Sequence, residues 1–167
     1  KMTTKKEEIL KELKEILTKN KLTLSSAESC TGGLVSSYLT DISGASEFIF
    51  QNFVTYSNEA KTKYLGVKKE TLEKFGAVSK ETAFEMSEGL LKLSDCSVAT
   101  TGILGPTGGS EEKPVGLVYI SVGCKDKIEV IKYISKKAET NNRHKIKKDI
   151  AKQALKCLLT YLKNTLN

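Results

Sequence analysis

The apolar positions of this chain follow two periods that alternate along its length. Ile9, Leu10, Leu13, Ile16 and Leu17 recur at the spacing of one helical face. Thr4 and Glu7 supply a capping box at the start of that helix. Lys21 to Ala27 alternates through Leu22 and Leu24 and reads as a short strand, and Leu34, Val35, Tyr38, Leu39 and Ile42 return to helical spacing. Phe48 to Tyr56, rich in aromatic and branched residues, predicts a second strand. Asn58 to Leu65 and Lys69 to Phe75 predict short helices separated by Gly66. Ser79 can cap a longer helix carrying Ala83, Met86, Leu90 and Leu91.

Ser97 to Thr101 is a short buried strand by pattern, and Val115 to Val122 is a nearly continuous apolar run, as in a strand covered on both faces. Ile128 to Ile134 follows it after the polar turn Lys125-Asp126-Lys127. The last helix, Asn142 to Leu162, puts Ile146, Ile150, Ala154, Cys157, Leu158 and Tyr161 on one face. Helices alternating with strands, plus one late hairpin, predict an α/β fold. The expected form is a three-layer α/β/α sandwich around a mixed, mostly parallel sheet. With 167 residues and no repeat, linker or low-complexity tract, one domain spanning 1–167 is expected.

Composition narrows the chemistry. The apolar share is 39% and the charged share 28%, as in ordinary globular chains. No apolar run approaches the roughly 20 residues that span a bilayer. The N-terminal stretch alternates Lys and Glu without a signal core, so a soluble, cytoplasmic protein with no membrane partner is expected. Cys30, Cys96, Cys124 and Cys157 are scattered without a CxxC pair, and so read as reduced, mostly buried thiols. His144 is the one histidine and sits among lysines, a poor place for a base that must gain a proton. An enzyme built on this chain would draw its base from elsewhere.

The net charge of +7 is uneven, because residues from Lys125 onward carry 12 basic and 4 acidic side chains, net +8, against −1 for the rest. Arg143 is the one arginine beside 26 lysines, and tryptophan is absent. Basic surfaces that read nucleic acid usually combine arginine with aromatic platforms. Nucleic-acid binding is therefore the weaker alternative to a solvated, lysine-rich helix.

Three stretches can carry chemistry. Ala27-Glu28-Ser29-Cys30-Thr31-Gly32-Gly33 joins a strand to a helix, so its backbone N–H groups and the Ser29 and Thr31 hydroxyls suit a phosphate or carboxylate. A helix cap with a tight turn fits the same residues, and the lysine of a Walker loop is missing. Thr101-Gly102-Ile103-Leu104-Gly105-Pro106-Thr107-Gly108-Gly109 sets four glycines in nine residues between two buried strands. Two such loops suggest two walls of one small-molecule site. The third stretch runs from Ser46 through Tyr56 to Lys61, residue types that allow hydrolysis without histidine. Half-neutralising a lysine at pH 7 takes about 3.4 units, or roughly 4.6 kcal/mol, from burial or a nearby cation. By spacing alone, Lys61 reads as one surface lysine among many and Ser46 as a turn cap.

Together these stretches resemble the C-terminal domain family of the competence-damage-inducible protein CinA, which includes stand-alone PncC-type nicotinamide-nucleotide amidohydrolases. The likeness covers nearly the whole chain. It rests on AESCTGG at 27–33, SGASEFIFQNFVTYSNEAK at 43–61, GAVSKETAFEMSEG at 76–89, TGILGPTGGSEEKPVGLVYISV at 101–122 and Asn142-Arg143. The molybdopterin-binding-like domain of longer family members has no counterpart in this sequence.

The resemblance implies hydrolysis of the nicotinamide mononucleotide (NMN) carboxamide to nicotinic acid mononucleotide and ammonia, in pyridine nucleotide salvage. It also implies no metal or organic cofactor. By position it makes Ser46 the nucleophile, Lys61 the base and Tyr56 a proton relay or oxyanion donor. The expected substrate contacts are Ser29, Thr31, Gly32, Gly33, Thr101, Gly102, Gly105, Gly108, Gly109 and Arg143. The alternative is a nucleotide-binding regulatory module without turnover. Ser46 and Tyr56 lie ten residues apart, about 33 Å if extended. They converge only through a turn within Gly44 to Phe50, which Ser46-Glu47 favours as a helix start, or through a neighbouring subunit of an expected homo-oligomer.

Overall fold

Thirteen short elements arise from these patterns in the computed structural model, which describes residues 5–166. The Thr4–Glu7 capping box lies outside the described residues. In chain order the main elements are α1 (Lys5–Lys19), β1 (Leu24–Glu28), α2 (Leu34–Leu39), β2 (Ile49–Val54), α3 (Asn58–Leu65), α4 (Lys69–Phe75) and α5 (Lys80–Leu91). Then follow β3 (Cys96–Gly102), β4 (Leu117–Cys124), β5 (Lys127–Ile134) and α6 (Arg143–Leu166). Short 3-10 turns at Ala45–Glu47 and Ala138–Thr140 complete the set.

The strands form one sheet in the order β2-β1-β3-β4-β5. β1 pairs parallel with both β2 and β3, whereas β3–β4 and β4–β5 are antiparallel. Four of the five strands therefore point the same way while the pairings divide evenly, so the sheet is mixed but parallel only in its first half. α1, α2 and α6 cover one face and α3, α4 and α5 the other, giving three layers.

Alternation along β3 shows how the sequence builds this. Cys96 and Val98 enter the large core under α1 and α6, with Leu13, Leu17, Ile150 and Leu158. Ala99 turns to a smaller core with Met86, Leu90, Leu65 and Val67 under α5. α5 approaches the sheet over small polar residues: Ser97 Oγ donates to Ser87 Oγ at 3.0 Å, and Ser87 and Ser121 share a bond of 2.7 Å.

The differences from the sequence pattern lie at element ends. Lys21 and Leu22 belong to the close of α1, not to β1. Lys21 takes φ 54°, and the Leu22 N–H reaches back to the Leu17 carbonyl at 2.9 Å. Ile42 falls in a turn beyond α2. β4 starts at Leu117, because Gly116 turns the chain at φ 93°. Asn142 caps α6 through the Lys145 N–H at 3.0 Å, and Cys157 on that helix is only half-buried. No helix among the described residues is long and apolar enough to cross a membrane.

Candidate active site

The chain leaves β1 for β2 on one side, then crosses to β3 on the other. This reversal opens a crevice at the carboxyl ends of β1 and β3, where open α/β sheets bind ligands. A cleft of about 250 Å³ lies there. Ser29 and Cys30 from the end of β1, Tyr56 and Lys61 from beyond β2, Thr101 to Gly105 from the end of β3, and Arg143 from α6 line it. No carboxylate faces it, so its charge is cationic.

Lys61 is the feature that marks the cleft. The Ser57 hydroxyl caps α3 by accepting the Ala60 N–H at 3.0 Å, which starts the helix so that Lys61 points inward. Lys61 is 1% exposed, and it is the one buried lysine among the described residues. Its Nζ lies 2.9 Å from Ser29 Oγ and 2.9 Å from the Tyr56 carbonyl. Burial without a carboxylate partner lowers it from 10.5 to about 8, because desolvation penalises the ammonium form. At pH 7 roughly a tenth of such a group is neutral. Cys30, next to Ser29, goes the other way: burial pushes its thiol up to about 12, leaving it protonated and inert.

The loop after β1 is held by a residue the pattern gave no role. Glu28 is 1% exposed, and its carboxylate accepts from Thr31 Oγ1 (2.6 Å), Gly33 N (3.2 Å), Val35 N (2.7 Å), Ser36 N (2.9 Å) and Ser36 Oγ (2.6 Å). The donors of the α2 N-terminus thus meet an internal anion, and an external phosphate finds them occupied. Three of the expected contacts therefore lie away from the cleft. Thr31 is fully buried, bonded to Glu28 and to Thr100 Oγ1 at 2.8 Å. Gly32 and Gly33 lie outside the cleft. Ser29 alone of that loop's expected contacts lines it, while the Cys30 N–H has no oxygen acceptor among the described residues.

The second glycine loop does face the cleft. Thr101, Gly102, Gly105 and Gly108 line it, and Thr101 Oγ1 donates to the Ala77 carbonyl at 2.8 Å. Gly105 has φ 73° and packs so closely on Val115 that an added Cβ would sit 2.5 Å from its Cγ1. Gly109 does not line the cleft, because it packs against Pro114 and Val115. Arg143 joins the two walls. Its NH1 donates to the Gly105 carbonyl at 2.9 Å and its NH2 to the Tyr56 hydroxyl at 3.1 Å.

Ser46 is not brought to Lys61 within the chain. The expected turn exists, at Ala45–Glu47, but it precedes β2, and the strand then runs straight to Val54. Six strand residues carry Ser46 roughly 20 Å from the cleft, to the far end of the sheet. The hydroxyl that meets Lys61 is Ser29, which the sequence offered only as a substrate contact. Ala77 and Val78 also line the cleft, from a stretch noted for its motif without a role. No group of three or more His, Cys, Asp or Glu among the described residues is placed to hold a metal ion.

Fold and cleft define an α/β protein with a small cationic pocket at a sheet switch point and a buried Ser–Lys pair inside it. The chain belongs to the CinA C-terminal domain family, whose model matches residues 6–162. It is 50% identical over 153 residues to a CinA-like protein of Endomicrobium trichonymphae, covering 90% of this chain and 34% of that protein. It is 51% identical over 141 residues to a CinA-like protein of Fusobacterium nucleatum, covering 84% of this chain and again 34% of the relative. The chain thus spans about a third of the length of the curated relatives it matches. Solved structures match end to end. The competence/damage inducible protein CihA of Agrobacterium tumefaciens superposes with TM-score 0.88 at 39% identity, covering 98% of both chains. A competence or damage-inducible protein of Enterobacter asburiae gives 0.88 at 32%, covering 96% of this chain and 99% of that one.

Proposed function

We propose that this chain is an amidohydrolase that converts the carboxamide of NMN to the carboxylate, releasing ammonia and nicotinic acid mononucleotide. The observation that carries the reading is the buried Lys61 Nζ at 2.9 Å from Ser29 Oγ, inside a cleft without acidic groups. As an ammonium, Lys61 donates to that oxygen. As a neutral amine, it accepts the hydroxyl proton over the same distance. Ser29 Oγ then attacks the carboxamide carbon, and the proton held on Lys61 passes to the departing nitrogen as ammonia leaves. Water, deprotonated by the same amine, hydrolyses the Ser29 ester and frees the carboxylate.

Backbone N–H groups at the cleft, such as that of Cys30, suit the oxyanion. The volume of about 250 Å³ suits one small metabolite, not a polymer. Arg143 and Lys61 favour an anionic ligand. The cationic pyridinium ring would hold Lys61 further toward its neutral form.

The test is ammonia release from NMN by the purified chain and two serine variants. Ser29→Ala is expected to lose at least ~1000-fold, and Ser46→Ala less than tenfold. The opposite ranking would move the nucleophile back to Ser46. Nucleotide binding without turnover in the parent chain would favour a regulatory module.

A further inference from the structure

Cys96 opens β3 and Cys124 closes β4, and the antiparallel register sets the two directly opposite one another. The bonds around them fix the kind of rung they form. The Lys125 N–H donates to the Asp95 carbonyl at 2.7 Å, which makes the next pair outward a hydrogen-bonded one. The Cys96 N–H points away from β4, to the Thr23 carbonyl at 2.8 Å. Cys96 and Cys124 are therefore a non-hydrogen-bonded pair, the kind whose α-carbons lie about 4.5 Å apart. That spacing falls at the short end of the roughly 4.4–6.8 Å that a disulfide spans. The side chains have also turned toward each other. Sγ lies 2.9 Å from Sγ, inside the about 3.5–4.0 Å of ordinary non-bonded contact.

We propose that Cys96 and Cys124 are a site of reversible disulfide formation, with hydrogen peroxide as the oxidant. Both are buried, at 0% and 2% exposure, so a bulky thiol reagent finds no room beside them. Asp95 and Lys125 on the adjoining rung are exposed, and opening of that one rung at the end of the sheet admits a molecule of peroxide's size. Burial pushes the Cys96 thiol up, so its thiolate is scarce and the first step waits on that opening. One sulfur then attacks a peroxide oxygen, the O–O bond breaks, and a sulfenic acid forms as water leaves. The second sulfur displaces the sulfenic hydroxyl, which departs as water with the proton of the second thiol. Two thiols lose two electrons and two protons, and one peroxide becomes two waters. Because the partner sulfur is already in contact, the sulfenic acid is captured before a second peroxide reaches it.

The bond would lie at the end of the sheet away from the cleft. It closes a ring of chain that contains the whole second glycine loop, Thr101 to Gly109, and ties together the two strands from which that loop springs. Its effect is therefore on the stability of the loop's supports and not on any group lining the cleft. The site stands on strand register and sulfur contact, independent of the proposed reaction.

Mass mapping of the full chain tests it. The native protein is treated with a few-fold excess of hydrogen peroxide, unfolded in the presence of a thiol-alkylating reagent, and digested. The peptides holding Cys96 and Cys124 are expected joined, and separated again by dithiothreitol. The linked chain should melt roughly 5–10 °C above the reduced one, since the bond closes a long loop without distorting the native rung. Cys96→Ala should lose the link and the melting shift together. All four cysteines alkylated, a sulfinic acid at either position in place of the link, or a bond from either to Cys30 or Cys157 overturns the proposal. So does a linked chain that melts no higher, or a shift that persists in Cys96→Ala. Should that variant not fold, the mapping and melting of the parent chain decide alone.

Discussion

Two glycine-bearing loops follow neighbouring parallel strands, and they do opposite work. The loop after β1 turns its N–H donors inward onto the buried Glu28 carboxylate, closing around its own anion. The loop after β3 keeps its glycines at the surface of the cleft, braced by Val115 on one side and Arg143 on the other. A strand–glycine–helix junction is thus an anion site only if the protein has not already filled it. One loop positions Ser29; the other leaves room for a ligand.

This division can be broken at either loop. The largest effect falls on the pair that the first loop positions: Lys61→Met should cut NMN hydrolysis by at least ~1000-fold, about 4 kcal/mol in transition-state terms. Stopped assays of ammonia release read this directly, and a loss of only a few-fold would remove Lys61 from the chemistry. Glu28→Gln should destabilise the fold by about 2–4 kcal/mol, because an amide cannot accept the five hydrogen bonds that the carboxylate takes in a buried site. Urea titration followed by circular dichroism checks it; a change below ~1 kcal/mol would mean the loop does not depend on that anion.

The pH dependence follows from Lys61. Its folded value, about 8, lies below its unfolded 10.5. Between those values the unfolded chain binds more protons, so this group's share of stability rises with pH through that window and is absent below 8. Relative to wild type, Lys61→Met should therefore gain up to about 3 kcal/mol below pH 8, shrinking to nothing above 10.5. The hydrolysis rate of the parent should climb with pH through an apparent value near 8, and a pH-independent rate from 6 to 9 would contradict a lysine base. Arg143→Ala should raise the KM for NMN about tenfold and change kcat less, since it removes a cleft wall and not the reacting pair.

The smallest effect is expected at Gly32→Ala. The glycine has φ 59°, and an added Cβ would meet only the end of the Lys147 side chain at 3.7 Å, so alanine should cost about 1 kcal/mol in backbone strain and leave KM within about twofold. A tenfold rise in KM would return that loop to ligand binding.

Much of this architecture is written in local spacing. The stripe of α1, the paired short helices around Gly66, the Ser79 cap of α5 and the doubly buried run of β4 all follow from periods of 3.6 and 2 or from single capping residues. Arg143 and the second glycine loop were legible because their residue types are unusual in context, whereas Lys61 and Tyr56 stood out only through the family resemblance. Glu28 was in plain view as an acidic residue between a short strand and a helix start, a signal that a buried carboxylate needs donors and that a helix start supplies them.

What the sequence alone determined is the set of elements, their amphipathic faces and the inventory of groups able to do hydrolytic chemistry without histidine. Only the tertiary structure decided which serine Lys61 meets. Ser29 and Lys61 are 32 residues apart, and their contact depends on β1 lying beside β2 in parallel register, which delivers both to one end of the sheet. The same register sends Ser46 to the other end. Strand order and direction are set by long-range burial summed over three layers, and no local pattern of residues encodes that sum.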